Sequence, residues 1–425
     1  MRFYFYSAKI TIMSAFKRLL HFYPNIRWWA CLLILVSLVF SRFLLSVGMI
    51  ALTLTAVLHP DVKLTIKKWI STPYLIVWAL LVVVYLVSGI YSGDKATWIV
   101  VMQKKAPFLF LPLAFAAGAP LQRKAFMQLL LAYVLLLIGA CSYALLNYAL
   151  HYETITTNYI YGQVMPTPVD HIRFSLLIVI AIATCAYCAF VYFKENQSLW
   201  AWLYVAGGVY LFAFIHLLAV RSGLLALYLI LLYTVLAIGI QQKKWKWSIL
   251  LLSAMLVIGW TCFTYVPSLR TKIKYMEYDW YSFFTGANVN GKSDGGRLLS
   301  MKIAKELIVE HPWLGVGAGD LETDMKAYYA VHYPEISPEH RMVPHNEFLY
   351  MWLACGIAGP LALLVVVGYL LFSYRLRRNW LYVAVLVVTI SSLFTEPVLE
   401  IQIGTAIFVF FPLLFYQQMK PETAL

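Results

Sequence analysis

Twelve apolar runs divide the chain, near residues 28–40, 43–59, 74–91, 106–118, 126–149, 171–193, 199–219, 222–240, 247–266, 346–373, 379–394 and 400–416. A helix needs about 20 apolar residues to cross the hydrocarbon core of a bilayer, and in that medium only helices and closed barrels satisfy their own backbone. The pattern predicts an all-α polytopic membrane protein with about twelve transmembrane helices. With 62% hydrophobic and 12% charged residues among 425, the chain lacks the polar shell of a soluble fold. The runs at 28–40 and 106–118 are short, so each borrows flanking residues, or one of them is re-entrant. The first two could form one helix broken at Arg42, but 32 residues are too many for one span, and a hairpin keeps the basic N-terminus inside.

Charge sets the expected orientation. A net charge of +14 would suit a nucleic-acid partner if it were gathered on a soluble surface. It is instead scattered through short loops, so no nucleic-acid partner is expected. Met1–Arg27 holds five Lys or Arg and no acid, and no small-residue cleavage site follows, so a removed signal peptide is not expected. With the N-terminus cytoplasmic, inside segments total 18 basic residues, against five in the short outside ones: Arg42, Lys95, Lys104, Lys105 and Arg221. The expected division is therefore 1–266 as spans one to nine, 267–345 as a helical extracytoplasmic cap, and 346–425 as the last three spans. That cap holds nine basic and ten acidic residues, as a soluble surface would. All six cysteines lie in or beside apolar runs, which argues against a disulfide framework. Cys185 and Cys188 have CxxC spacing but fall mid-span, where small hydrophobes are expected.

The polar interruption also carries the candidate chemistry. Arg297 heads an amphipathic run to Glu310, with Leu298, Leu299, Met301, Ile303, Leu307 and Ile308 mostly on one face. The stretch Asn288–Gly296 reads as a flexible lead-in to that helix. Gly315, Gly317 and Gly319 lack a preceding strand and the dinucleotide spacing, so they read as a tight turn that lets Leu321–His332 fold back. Arg221 stands in an outer hairpin with almost no loop, either snorkelling to headgroups or facing inward to an anion. His345 and Asn346 mark the return into apolar sequence, and His345 alone could be a helix cap. Distant segments thus deliver Arg221, Arg297 and His345 to one membrane face. His171 and Arg173, beside Asp170, open the sixth span on that face and either line a substrate site or form a local salt bridge. Glu396 and Glu400 either orient the arginines or cap a helix. His216 reads as a satisfied polar residue between helices.

Arg221-Ser222-Gly223, the Arg297 helix, the turn His311-Pro312-Trp313-Leu314-Gly315-Val316-Gly317, and His345-Asn346 followed after nine residues by Gly356 and after two more by Gly359 together resemble the O-antigen ligase superfamily. That superfamily also contains O-antigen polymerases and protein O-oligosaccharyltransferases. The motifs run from Arg221 to Gly359; the rest of the chain resembles the family only in span count. The resemblance implies a multi-pass glycosyltransferase of the bacterial inner membrane with its active site facing the periplasm. It would transfer a glycan from an undecaprenyl-diphosphate donor to a hydroxyl of lipid A-core or another glycan acceptor, among membrane lipids and without a cofactor. By the same resemblance, Arg221, Arg297 and His345 correspond to the family's essential arginines and histidine. Position alone, on the same outer face or beside His345, makes Arg173, His171 and Asn346 substrate-binding candidates.

The residue types suit that chemistry. Guanidinium forks match phosphate oxygens bidentately and stay charged, as a departing diphosphate requires. A neutral imidazole can take the acceptor's proton. No acidic cluster has the spacing of a divalent-metal site, so the expectation is metal-independent, inverting transfer. A polymerase would use the same donor. A lipid or polysaccharide transporter would place its ionisable residues near the midplane between repeated halves; here they gather at one face, and no repeat is visible.

Overall fold

The computed structural model describes residues 25–159, 163–265, 267–287, 289–373 and 379–418; Arg2, Lys9, Lys17 and Arg18 of the basic N-terminus, and Arg375, Arg377, Arg378 and Lys420, lie outside them. Among the described residues every regular element is a helix. In order these are α1 (Asn25–Phe40), α2 (Arg42–Val57), α3 (Val62–Ser71), α4 (Pro73–Tyr91), α5 (Lys95–Ala116), α6 (Arg123–Leu150), α7 (Tyr152–Asn158), α8 (His171–Lys194), α9 (Ser198–Leu218), α10 (Arg221–Gln242) and α11 (Trp245–Tyr265). The polar segment folds into α12 (Pro267–Phe284), α13 (Ser293–Glu310) and α14 (Leu321–His332). Then come α15 (Glu347–Cys355), α16 (Ala358–Phe372), α17 (Trp380–Leu393) and α18 (Gln402–Tyr416).

Seven of these, α4, α5, α6 and α8 to α11, are long and apolar enough to cross a membrane. The chain is a polytopic helical membrane protein. The expected twelve exceeds what length alone supports: α2 and α3 qualify only as a pair bent by 107°, and α1, α16, α17 and α18 are shorter apolar helices. One boundary is corrected. The fourth span is Lys95–Ala116, 22 residues, and takes in Lys104 and Lys105, which the sequence pattern assigns to a loop. Lys105 tolerates this because its ammonium meets Glu400 at 2.5 Å and the Leu399 carbonyl at 2.8 Å.

Helix α8 forms the core. Of its most apolar stretch 72% is buried within the protein, against 6% for α11, so α8 is enclosed by helices and α11 faces lipid. A helix apolar all round belongs in such an interior, and α6, α9, α10 and α17 pack around it. Cys185 and Cys188 are buried free thiols within it. On α11, Leu256, Val257 and Trp260 are exposed, an outward apolar surface of the kind a bilayer covers.

The turn after α13 fastens the polar segment to the bundle. Val316 N–H donates to the Leu353 carbonyl at 2.8 Å, Ala318 N–H to Ser88 Oγ at 2.7 Å, and the Asp320 carboxylate accepts the Gly93 and Asp94 N–H groups at 2.6 and 2.8 Å. Gly315 has φ +70°, and a Cβ there would lie 2.3 Å from the Leu353 carbonyl oxygen, so both conformation and space demand glycine. A second correction concerns the lead-in: α13 begins at Ser293, so Gly295 and Gly296 are helical and buried. Gly295 is closely packed, since a Cβ there would stand 2.9 Å from Val289 Cγ1.

Candidate active site

A cavity of about 760 Å³ opens where α8, α10, α12 and α13 meet the loops before α15 and after α17. Each wall brings one polar group for a local reason. Arg221 begins α10 two residues after Ala219, whose left-handed φ of 51° turns the chain back on itself. That hairpin packs tightly on α8, because a Cβ on Gly223 would fall 2.5 Å from the Ser175 Cβ; the Arg-Ser-Gly run thus sets the arginine at the cavity edge. Arg297 lies one turn into α13, whose buried face, Leu299, Ile303 and Leu307, fixes its rotation. His345 stands in the loop ahead of α15.

Each arginine is held by a carboxylate. Arg221 Nη1 and Nη2 donate to the two Asp294 oxygens, both at 2.6 Å, the planar fork expected of a bidentate pair. Arg297 Nη2 lies 2.9 Å from Glu396 Oε1. Arg173 Nη1 pairs with Asp170 Oδ1 at 2.6 Å, behind the cavity wall.

His345 Nδ1 lies 3.0 Å from the Val343 carbonyl. A carbonyl only accepts, so Nδ1 carries the proton and Nε2 of the neutral ring keeps its lone pair. Nε2 is 3.8 Å from Glu396 Oε2, too far for a hydrogen bond. Burial, and then the Arg297 guanidinium, push the imidazole down to about 4, so it is neutral at neutral pH. Burial likewise raises the Glu396 carboxyl above its ordinary range, with Arg297 and Arg173 opposing it.

A family model for O-antigen ligase matches residues 206–364, the stretch that carries Arg221, Asp294, Arg297 and His345. The match covers less than half of the chain; this stretch is similar to O-antigen ligase domains, which supports the O-antigen ligase superfamily. A search among curated proteins returned no match. The family supports a membrane glycosyltransferase of the ligase or polymerase type, acting on glycan donor and acceptor in the membrane.

The six sequence-derived site residues divide. Arg221, Arg297, His345 and His171 line the cavity, and Arg173 and Asn346 do not. His171 also faces a second cavity of about 520 Å³ beside Arg42. Both ends of the Asn346 carboxamide are committed to the protein. Oδ1 caps α15 by accepting Leu349 N–H at 3.1 Å, and Nδ2 donates to the Phe394 carbonyl at 3.3 Å. The capping role thus belongs to Asn346 and not to His345, as Asn ahead of an apolar run signals. The two outer glutamates separate as well. Glu396 meets the site, whereas Glu400 is buried with Lys105 and the Tyr85 hydroxyl, 2.5 Å away.

Asp294 and Lys272 are cavity residues that sequence reasoning missed. Asp294 could have been found: it sits three residues before Arg297 on one helical face. Lys272 carries no such signal. His216 bonds the Phe212 carbonyl and the Tyr228 hydroxyl, at 2.7 and 3.0 Å, as expected of a satisfied interhelical residue. Among the described residues, no group of three His, Cys, Asp or Glu converges on a metal-sized site.

Proposed function

We propose that the protein transfers a glycan from an undecaprenyl-diphosphate carrier to a hydroxyl of lipid A-core, at the periplasmic face of a bacterial inner membrane. The observation that carries this reading is the convergence of Arg221, Arg297 and a neutral His345 on one cavity. Residues 267–345 then form the outer cap over twelve spans, an orientation supported by the Lys and Arg asymmetry between loops.

Arg221 and Arg297 hold the diphosphate and stabilise the charge that grows on it as the glycosyl bond breaks. Asp294 fixes the Arg221 fork before substrate arrives, and Glu396 sits beside one Arg297 nitrogen, so little reorganisation remains. His345 Nε2 takes the acceptor proton while the acceptor oxygen attacks the anomeric carbon opposite the leaving group. The carbon–oxygen bond to the diphosphate breaks, its electron pair leaves with the carrier, and the anomeric centre inverts. With the guanidinium groups neutralising the leaving group, no metal is required in this scheme. His171 borders the donor site, Arg173 lies behind it paired with Asp170, and Asn346 positions His345 by capping the following helix.

Deletion of the gene with inspection of surface glycan tests the reading. A ligase predicts lipid A-core without long chains and an accumulation of lipid-linked polymer. Lipid A-core capped with single units would assign the same site to polymerisation instead.

A further inference from the structure

The charges around the cavity do not cancel. Its lining holds three cations, Arg221, Lys272 and Arg297, and two carboxylates, Asp294 and Glu396. The carboxylates are taken by the arginines at 2.6 and 2.9 Å. Among the described residues no carboxylate pairs with Lys272. Its Nζ donates instead to two neutral acceptors, the carbonyls of Leu218 at 2.9 Å and Ala219 at 3.1 Å. An ammonium has three donors, so one remains for the cavity, where the Tyr159 ring centre stands 5.7 Å away, near the limit of a cation–π contact.

Those two carbonyls close α9 at the left-handed residue that precedes Arg221, so the lysine is built into the hairpin that aims the arginine. Burial, and then the nearby Arg221 guanidinium, push the Lys272 ammonium down to about 8. A buried charge of this kind is costly when its only partners are neutral. An anion in the cavity would supply the missing counter-charge.

We propose that Lys272 is a third phosphate-binding residue of this cavity, donating its remaining N–H to a diphosphate oxygen while its other two hold the Arg221 hairpin. The assignment rests on the diphosphate reading of the site and adds a residue, and a pH dependence, to it. The neighbouring groups that bear on its charge are Arg221, Arg297, Asp294, His171 and the phenols of Tyr159 and Tyr275.

Binding of farnesyl diphosphate to the purified full-length protein in detergent, measured from pH 7 to 9.5, tests this. Phosphate ester ionisation near pH 6 is complete before that window. Wild type should lose affinity above pH 8, approaching tenfold per unit as Lys272 deprotonates. Lys272→Arg stays charged and should bind with a flat profile; Lys272→Gln should bind about tenfold or more weakly at pH 7, also with a flat profile. A purely structural lysine would leave the wild-type slope in Lys272→Arg, and that result overturns the proposal. Should Lys272→Gln fail to fold, the Lys272→Arg profile decides alone. Arg221→Ala and Arg297→Ala separate the two levels of inference. If they lose binding while both Lys272 variants match wild type at every pH, the lysine assignment falls and the diphosphate site stands. If they too bind normally, the diphosphate site itself is refuted, and this assignment with it.

Discussion

If His345 is the base, its depressed basicity sets how far activity extends into acid. The imidazole is pushed down to about 4 by burial and by Arg297, against about 6.5 for an ordinary histidine. A base works only when unprotonated, so activity should fall as pH drops through the value of the free enzyme. At pH 5 a group at about 4 is about nine-tenths neutral, whereas one at about 6.5 is about 3% neutral, a roughly 30-fold difference. The assay is kcat/KM for transfer from lipid-linked donor between pH 4.5 and 8, with monodispersity checked at each pH. Near-constant activity from pH 8 to 5.5 is expected, while His345→Ala, His345→Asn and His345→Ser should each lose on the order of 10²- to 10⁴-fold at all pH values. Glu396 also titrates in acid, because burial raises its carboxyl, so the profile is repeated in Glu396→Gln. Wild-type activity already down roughly 30-fold at pH 5, in folded protein and unchanged in shape by Glu396→Gln, would refute the reasoning. Recovery of turnover by His345→Asn would do so too.

Arg221→Lys and Arg297→Lys should each cost on the order of 10²-fold in turnover, because an ammonium cannot reproduce the planar fork or its carboxylate anchor; near-normal turnover in both removes the diphosphate clamp. Cysteine substituted at Lys292 should be labelled by a membrane-impermeant thiol reagent from outside and cysteine at Lys243 should not, and the reverse pattern inverts the topology. Lys105→Met leaves Glu400 buried without its counter-charge, a loss of about 3–5 kcal/mol, so its thermal transition in detergent should fall well below wild type; an unchanged transition denies the buried pair a structural role.

The helices were legible wherever apolar residues ran unbroken, since the bilayer imposes length and composition together. The pattern failed at α5. Lys104 and Lys105 look like loop charges until Glu400, 295 residues away, is seen to neutralise the second. Arg221, Arg297 and His345 could be named because they interrupt apolar sequence at the mouth of the bundle, where a polar residue is costly to keep. Lys272 could not, because in a segment about a quarter charged it looks like any solvated charge; Asp294 shares a helical face with Arg297, yet only tertiary folding turns it toward Arg221 and Lys272 toward the α9 carbonyls. The glycines before Arg297 suggest flexibility, yet close packing explains Gly295 better, since Val289 occupies the space a side chain would need there.

His345, Asn346 and Glu347 show why a short motif can specify a site. Each fixes a different part of the same neighbourhood. His345 turns its ring to the cavity through the Val343 carbonyl. Asn346 caps α15 and holds the Phe394 carbonyl, while the fully buried Glu347 accepts Leu399 N–H at 2.8 Å. Lys105 takes the carbonyl of the same Leu399 at 2.8 Å. The loop that bears Glu396 is therefore pinned on both sides of that residue, two positions before it at Phe394 and three after it at Leu399. Glu396 in turn holds Arg297 at 2.9 Å. The imidazole and the guanidinium, supplied by segments that are remote in sequence, are thus referenced to one loop, which buried or capping side chains hold through its backbone at Phe394 and Leu399. Displacing that loop would move base and clamp apart together, so second-layer contacts such as Glu347 to Leu399 bear on both at once.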